Sequence, residues 1–152
     1  MKNNKRFSIA AIILAAGKGK RVGQPKWQLR YHDRTFLEII LTKLQECRCV
    51  AISCVAAAEA VAEMDDIVKE AKVSAIITTN PNPDDGMLSS IYYGLKSLPG
   101  YDGYLIFPVD HPFVQIKTIQ LLIDAFIKNF VKDNNIIVAP CYKEKFGHPI
   151  IV

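Results

Sequence analysis

The sequence contains no internal repeat, no low-complexity tract and no segment with the composition of a linker, so we expect one domain over residues 1–152. No run after the N-terminal region is apolar for long enough to span a membrane. Basic residues before the first apolar run imitate a secretory signal peptide, but the loop that follows is dense in Lys and Arg. We therefore expect a protein that is not secreted.

Cysteine is scarce and lacks the spacing of a metal site or a disulfide framework. The four cysteines are Cys47, Cys49, Cys54 and Cys141. The Cys-x-Cys pair has no matching second pair and no histidine at zinc spacing. Cys49 and Cys54 lie in or beside an apolar run, where a free buried thiol is the usual state. These features favour a reduced, cytoplasmic protein.

The charge balance shows little excess of either sign, which argues against a nucleic-acid-binding protein. The formal net charge is +4, and 22% of the residues are charged. A nucleic-acid-binding face would show a longer basic stripe, whereas much of the excess here lies in one short loop near the N-terminus. We interpret that loop as a local anion site.

That loop follows an entirely apolar segment, and the rest of the chain is organised around the two together. Residues 9–16 are all Ile, Leu or Ala, which predicts a buried strand. Three glycines and four cations follow, namely Gly17, Gly19, Gly23, Lys18, Lys20, Arg21 and Lys26. Glycines let the backbone approach an anion closely, and cations neutralise it. A strand that ends in such a loop is typical of a phosphate site.

The remaining chain alternates between apolar β-type segments and amphipathic helical segments. We expect further strands at residues 50–56, 73–79, 104–107 and 136–139, and a last apolar piece at 150–152. Helices are expected after the capping-box pattern Thr35-x-x-Glu38, over residues 57–71, over 86–98 and over 116–130. This alternation is typical of a mostly parallel sheet with helices on both faces, a three-layer α/β/α fold.

Three polar, irregular segments are expected to meet at one edge of this sheet. They are residues 17–26, 80–86 and 110–111, and each follows a predicted strand. In open α/β sheets, ligands bind beyond the carboxyl ends of the strands. If the last apolar piece runs antiparallel, its start brings His148 to the same edge. The pattern therefore predicts a binding site there.

Two common glycine-loop motifs fit the opening loop poorly. A P-loop needs Ser or Thr after Gly-Lys, but here Gly23 is followed by Gln24 and Pro25. A dinucleotide-binding fingerprint needs a helix that starts inside the glycine motif. Pro25 and the polar Lys20-Arg21 pair disfavour such a helix. We reject the P-loop and keep NAD-type binding as the weaker alternative.

The opening loop and four later segments resemble those of a known family. Residues 14–26, LAAGKGKRVGQPK, are similar to the signature of the molybdenum-cofactor-type nucleotidyltransferases. The resemblance continues in the family's order at Asn80, at residues 86–90 (GMLSS), at 108–112 (PVDHP) and at 147–149 (GHP). The segment at residues 15–17 looks like the cytidylyltransferase branch, because the related molybdopterin guanylyltransferases usually have two glycines.

This resemblance implies a Rossmann-like, GT-A-like domain that transfers CMP from CTP to the phosphate of a molybdopterin-type cofactor and releases pyrophosphate. It implies Mg²⁺ held by Asp110, and a molybdoenzyme that receives the cofactor as a further partner, with neither nucleic acid nor membrane. The implied catalytic residues are Arg21 and Lys26, which would bind the β- and γ-phosphates, and Asp110. The implied nucleotide-binding residues are Leu14, Ala15, Ala16, Gly17, Gly19, Arg21, Lys26, Asn80, Gly86 and Ser90.

Two other functions stay open from the sequence. One is a transferase whose acceptor is a sugar phosphate or an alditol phosphate, and the other is a non-catalytic nucleotide-binding module. The second is favoured by a departure from the family, which continues into a Gly-Asp motif whose aspartate is a second metal ligand, whereas this chain stops at Val152. We therefore expect a C-terminally truncated form of the fold, or a weakened metal site. The roles of His111 and His148 stay open as well.

Overall fold

A computed structural model describes residues 7–19, 23–47, 49–130, 133 and 135–152. Alternating strands and helices build one central sheet, and two short hairpins lie outside it. In chain order the elements are β1 (Ile9–Leu14), β2 (Arg30–Tyr31), β3 (Arg34–Thr35), α1 (Phe36–Glu46), β4 (Ala51–Ala57), α2 (Val61–Glu70), β5 (Ile76–Asn80), α3 (Met87–Ser97), β6 (Gly103–Pro108), α4 (Ile116–Phe130), β7 (Cys141–Tyr142), β8 (Lys145–Phe146) and β9 (Ile150–Ile151).

The central sheet has five strands in the order β5-β4-β1-β6-β9. The first four of these run parallel, and β9 is antiparallel to β6. Strand β1 lies in the middle, where Ile12 is opposite Ser53 of β4 on one side and Ile106 of β6 on the other. Because a central parallel strand is covered on both faces, every one of its side chains can be apolar.

Helices cover both faces of the sheet, which confirms the predicted three-layer α/β/α fold. On one face, α1, α2 and α4 enclose the larger core, which includes Ile13 and Phe126. On the other face, α3 packs on a smaller core that includes Ile12 and Ile106. A Cβ atom added at Gly94 of α3 would lie 2.3 Å from Cγ2 of Ile12, so this helix needs glycine to pack so closely on β1.

Helices α1, α3 and α4 begin within one residue of their predicted starts, whereas α2 begins at Val61, after a 3₁₀ turn at Ala58–Ala60, and not at residue 57 as predicted. At the start of α1 the backbone N–H of Glu38 donates to Oγ1 of Thr35 (3.2 Å), and the Glu38 carboxylate accepts from the backbone N–H of Thr35 (2.5 Å). This reciprocal capping box satisfies two amides that the helix itself leaves without partners. None of the helices in the described ranges combines the length and the apolarity needed to cross a membrane.

The prediction of a strand at residues 136–139 is wrong. Within this segment Val138 alone pairs with the sheet, through two reciprocal backbone hydrogen bonds of 2.9 Å with Ile151. Pro140 follows directly, and it has no N–H with which to continue a ladder. The segment therefore makes a single bridge at the outer edge of β9.

The last strand runs antiparallel, which the sequence left open: Ile106 of β6 is opposite Ile150, and Leu105 is opposite Ile151. The hairpins β2–β3 and β7–β8 were not predicted, since each strand has only two residues and no alternating pattern can develop over that length.

The strand order positions the site. From β1 the chain first adds β4 and β5 on one side, and then crosses back to add β6 and β9 on the other. The connections leaving β1 and β6 therefore diverge, which opens a crevice beyond their carboxyl ends. The backbone N–H of Val109 donates to the carbonyl of Leu14 (3.2 Å) and ties these two strand ends together.

Candidate active site

A cleft of about 260 Å³ lies at this crevice. Three segments form it: the loop that follows β1, the turn that leads into α3, and the end of β6. We call it the switch-point cleft, and its lining residues are Leu14, Ala16, Gly17, Gly19, Lys26, Pro83, Gly86, Met87, Ser90, Pro108, Val109 and Asp110.

The described part of the glycine loop has a conformation that requires glycine at residue 19. Gly19 has a φ of +62°, and a Cβ atom there would lie 1.9 Å from the carbonyl oxygen of Gln24. The backbone N–H of Gly23 donates to the carbonyl of Gly19 (3.0 Å), which closes the loop on itself. Gly17 has open space around it, so its exposed backbone is accessible to a ligand in the cleft.

Lys26 and Asp110 form an ion pair on the cleft wall. The Nζ of Lys26 lies 2.5 Å from Oδ2 of Asp110, and the two side chains are 41% and 37% exposed. Trp27, which is only 2% exposed, sits in the larger core and anchors the turn that carries Lys26. The ion pair thus joins the loop after β1 to the end of β6.

Burial acts to raise the pKa of Asp110, but the hydrogen bond and the positive charge of Lys26, with a smaller effect from His111, outweigh it. The pKa of Asp110 is therefore held below its ordinary value. Asp110 is accordingly a carboxylate at neutral pH, and its oxygens can accept hydrogen bonds or bind a cation.

Lys18 of the glycine loop pairs with Asp84, which precedes α3. Its Nζ lies 3.1 Å from Oδ2 of Asp84. The hydrogen bond that Lys18 donates to Asp84, together with the negative charge of that carboxylate, raises the pKa of Lys18 above its usual value. This contact links the glycine loop to the turn that leads into α3.

The start of α3 is held by a buried amide. Asn80 is fully buried at the end of β5, and its Nδ2 donates to the hydroxyls of Ser89 (2.8 Å) and Ser90 (3.0 Å). Its Oδ1 accepts from the backbone N–H of Asn82 (2.9 Å). Gly86, at a φ of +88°, turns the chain into the helix. Asn80 thus lies behind the cleft wall and holds Ser90, which is part of that wall.

The loop after Asp110 is held by a lysine that sequence reasoning missed. The Nζ of Lys43, on α1, donates to the carbonyls of Pro112 (2.6 Å) and Val114 (2.8 Å). Burial lowers the pKa of Lys43, and the neighbouring Arg34 lowers it further. A lysine in the last turn of an amphipathic helix carries no signal for this role, because its acceptors lie about 70 residues away in sequence.

Two histidines lie beside Asp110. The Nε2 of His111 is 3.5 Å from Oδ1 of Asp110, and the ring centroids of His111 and His148 are 5.8 Å apart. β9 is antiparallel, which is the condition under which His148 reaches this edge, and its ring lies next to that of His111.

The switch-point cleft brings together most of the predicted site residues, whose roles stay predictions. Ala15 is turned towards Trp27 on the far side of the loop, and Asn80 lies behind the cleft wall. Arg21 lies outside the described residues. The predicted residues that line the cleft are Leu14, Ala16, Gly17, Gly19, Lys26, Gly86, Ser90 and Asp110.

Four lining residues were missed, namely Pro83, Met87, Pro108 and Val109. Pro108 and Val109 belong to the PVDHP segment noted in the sequence, so that motif already signalled them. Met87, the first residue of α3, belongs to the GMLSS segment noted at residues 86–90, so that segment signalled it as well. Pro83 lies in the turn before Gly86, where the sequence carries no further sign of cleft contact.

The donor set fits a divalent cation that shares its ligands with a substrate. Asp110 supplies one carboxylate in the cleft, and Mg²⁺ is commonly held by one or two carboxylates together with substrate phosphates and water. Among the residues that the structure describes, no group of three His, Cys, Asp or Glu side chains is placed to hold a metal. The site therefore suits a metal that arrives with a phosphate ligand.

Comparison with known proteins identifies relatives of this site and fold. The chain matches the MobA-like NTP transferase domain family over residues 11–152. It is 30% identical over 115 residues to a Bacillus cytotoxicus protein named probable molybdenum cofactor guanylyltransferase. The aligned region covers 74% of this chain and 54% of that protein. The chain thus spans about half the length of the curated relatives that it matches.

Solved structures share the fold at lower identity. Rv0371c from Mycobacterium tuberculosis superposes with a TM-score of 0.73 at 23% identity, over 95% of this chain and 70% of that one. A second crystal structure of Rv0371c is a complex with manganese (TM-score 0.69, 21% identity, the same coverage). The 4-diphosphocytidyl-2C-methyl-D-erythritol synthase of Anaerococcus prevotii gives a TM-score of 0.72 at 19% identity, over 95% of this chain and 69% of that one.

The match to the family model extends from β1 through the glycine loop, the start of α3 and Asp110 to the last strand, so it includes every wall of the switch-point cleft. The chain belongs to the MobA-like NTP transferase domain family.

Proposed function

We propose that this chain is a Mg²⁺-dependent nucleotidyltransferase that transfers CMP from CTP to the phosphate of a molybdopterin-type cofactor, with release of pyrophosphate. The observation that supports it best is the ion pair of Lys26 and Asp110 in a glycine-loop cleft at the switch point of the sheet. Such a cleft offers a cation for phosphates and a carboxylate for a metal, and the chain's family is one of NTP transferases.

The glycine loop and its cations would hold the triphosphate. Backbone N–H groups of residues 17–19 would donate to phosphate oxygens, because glycine allows the closest approach. Lys26 would bind the β- and γ-phosphates, and we assign the same role to Arg21. Mg²⁺ held by Asp110 would neutralise phosphate charge when bound.

The transfer needs no nucleophile from the protein. An oxygen of the acceptor's phosphate attacks the α-phosphorus and forms the new P–O bond. The bond from the α-phosphorus to the α,β-bridging oxygen breaks, and the electron pair leaves with pyrophosphate. Negative charge grows on that leaving group, so the ammonium group of Lys26 stabilises the transition state more than the ground state.

CTP and GTP are competing donors. The segment Ala15-Ala16-Gly17 favours CTP, whereas the names of the curated relatives favour GTP. Calorimetric titration of CTP, GTP and ATP in the presence of Mg²⁺ separates them. We expect CTP to bind at least tenfold more tightly than GTP. Tighter binding of GTP would assign the guanylyl activity, and binding of no nucleotide would contradict the enzyme proposal.

The acceptor is tested by product analysis. A molybdopterin-type cofactor, a sugar phosphate and an alditol phosphate are each incubated with the preferred nucleotide, and ³¹P NMR detects a new diphosphate together with pyrophosphate. One structural neighbour is named as a synthase of a diphosphocytidyl alditol derivative, which makes the alditol phosphate the main rival acceptor. Product from that acceptor alone would replace the cofactor in the proposal.

A non-catalytic nucleotide-binding module gives a different outcome, since nucleotide would bind without any release of pyrophosphate. The Asp110→Asn variant sharpens the comparison, because it removes the carboxylate and keeps the size of the side chain. We expect it to lose the Mg²⁺-dependent part of the nucleotide affinity. Asp124→Asn, an exposed substitution on α4, is the matched control.

We also place the protein in the cytoplasm. All four cysteines are free thiols, and a reducing compartment keeps thiols in that state. Fractionation of cells that express the tagged protein tests this location, and recovery in the membrane or secreted fraction would contradict it.

A further inference from the structure

We infer that His111 and His148 form the binding site for the phosphate of the acceptor, next to Asp110 and apart from Lys26. This inference rests on the proposed function and deepens it, because it assigns the second substrate's reacting group to two named side chains. Neither histidine was given a role by the sequence.

The carboxylate of Asp110 separates two groups of donors. Its Oδ2 faces Lys26 at 2.5 Å, and its Oδ1 faces the Nε2 of His111 at 3.5 Å. Two different oxygens of one side chain thus contact two different partners, so Lys26 and His111 flank Asp110. The ring of His148 continues the series, 5.8 Å from that of His111 and tilted by 30°.

The fold holds the two rings next to each other, beside the wall of the cleft that Asp110 forms. His111 lies in the turn after β6, where its N–H donates to the carbonyl of Pro108 (3.2 Å) and its carbonyl accepts from Val114 (3.3 Å). His148 precedes β9, whose pairing with β6 sets its position. The side chain of His111 is 43% exposed and His148 is half-buried, so a ligand can reach both.

The chemistry of the transfer requires a second phosphate site here. In phosphoryl-type transfer the attacking and leaving oxygens lie roughly in line, on opposite sides of the reacting phosphorus. If Lys26 binds the leaving pyrophosphate, the incoming phosphate needs donors on another side of Asp110. His111 approaches Oδ1 of Asp110, whereas Lys26 contacts Oδ2, and the ring of His148 lies next to that of His111.

Imidazole suits this task in each of its protonation states. A neutral ring has one N–H donor and a protonated ring has two, so the pair always offers at least two donors. The 3.5 Å between Nε2 of His111 and Oδ1 of Asp110 is longer than an ordinary hydrogen bond, so this nitrogen can still bind a phosphate oxygen. The donors stay available for a phosphate monoester.

The test uses the three histidines of the chain as reporters. Methyl phosphate, a minimal phosphate monoester, is titrated at fixed pH into the ¹³C-histidine-labelled protein, and the Cε1–H signals are followed by NMR. The titration is run with and without Mg²⁺ and a non-hydrolysable CTP analogue. His32 is the internal control, because it lies in the β2–β3 turn, where its ring contacts that of Tyr31.

We expect the signals of His111 and His148 to shift and saturate, while that of His32 stays in place. His111→Gln and His148→Gln assign the signals, and each should weaken methyl phosphate binding about tenfold, as expected for one hydrogen bond to a charged group. Both variants should bind the CTP analogue as the wild type does, which also shows that they are folded.

The inference would be overturned if the His111 and His148 signals do not shift on addition of methyl phosphate, or if all three histidine signals shift by the same amount. Unchanged methyl phosphate affinity in both variants would overturn it equally. These failures are distinct from a failure of the proposed function, in which the wild type does not bind the CTP analogue. The titration without analogue still decides the role of the histidines in that case.

Discussion

Lys26 and Asp110, 84 residues apart in the sequence, meet with 2.5 Å between Nζ and Oδ2. The contact connects the loop after β1 with the end of β6, which are neighbours because β6 pairs directly with β1. Each side chain is partly exposed, so both can exchange this partner for a ligand. A substrate that brings phosphates together with a divalent cation satisfies both members of the pair at once.

The ion pair gives the folded state a defined dependence on pH. The pKa of Asp110 lies below its ordinary value of 3.8, so the pair stabilises the folded protein above that pH. The contribution is lost as the pH falls through the folded pKa. Thermal unfolding of the wild type and of Asp110→Asn should differ near neutrality, and the difference should close below about pH 3.8. A difference that persists into stronger acid would contradict this account, and Asp124→Asn should follow the wild type at each pH.

Gly19 is expected to tolerate no side chain. Alanine at a φ of +62°, with its Cβ 1.9 Å from the carbonyl oxygen of Gln24, forces the glycine loop to rearrange. Gly19→Ala should therefore weaken nucleotide binding tenfold or more in calorimetric titrations. Gly17→Ala is the matched comparison, because its added methyl meets open space and leaves the loop's conformation intact, so any loss of affinity there reports contact of the methyl with the nucleotide and not a rearranged loop. Equal affinity of Gly19→Ala and the wild type would show that the loop's shape does not matter.

Asn80 should matter more for stability than its small size suggests. Removal of its amide takes this partner away from the buried hydroxyl of Ser90, from the partly buried hydroxyl of Ser89 and from the N–H of Asn82. An unsatisfied buried polar group costs about 1–3 kcal/mol, so Asn80→Ala should lower the free energy of unfolding by about 2 kcal/mol in urea denaturation. Gln120→Ala, an exposed position on α4, should change it little. A loss as small as that of the control would refute the role of the network.

The thiols should react in an order set by burial. Burial raises the pKa of Cys49 and Cys54 to about 12, so neither forms the reactive thiolate near neutral pH. Burial also raises the pKa of Cys47, whereas Cys141 is exposed. A thiol-specific reagent should label Cys141 first, and Cys141→Ser should remove that fast phase. Labelling of Cys49 or Cys54 in the folded protein would contradict the buried assignment.

Local patterns predicted the elements that depend on local interactions. The capping box at Thr35 and Glu38 and the periodicity of α4 led to the correct helices, because a cap and one apolar stripe lie within a few turns of chain. The apolar run of residues 9–16 likewise predicted the central strand, which ends at Leu14. Residues 136–139 show the limit of such patterns, since all four are apolar and yet Val138 alone pairs with the sheet before Pro140.

The candidate site was predictable in part for the same reason. Gly19 and Lys26 lie in a local motif, and Asp110 follows a strand, so their types and approximate location could be inferred. Lys43 could not be, because its acceptors at Pro112 and Val114 are distant in sequence and are backbone carbonyls, which every residue has. Asn80 was found, but its partners could not be, since its place behind the cleft wall depends on how α3 docks on the sheet.

The sequence by itself determined the class of fold and the glycine-rich, basic character of the opening loop, because both follow from the order of apolar periods, glycines and charges along the chain. Only the tertiary structure decided which groups act together. Strand order placed β6 beside β1, so that Lys26 contacts Asp110, and the antiparallel return of β9 placed His148 beside His111. These contacts depend on how strands pair and cross over, and no local pattern of residues encodes that pairing.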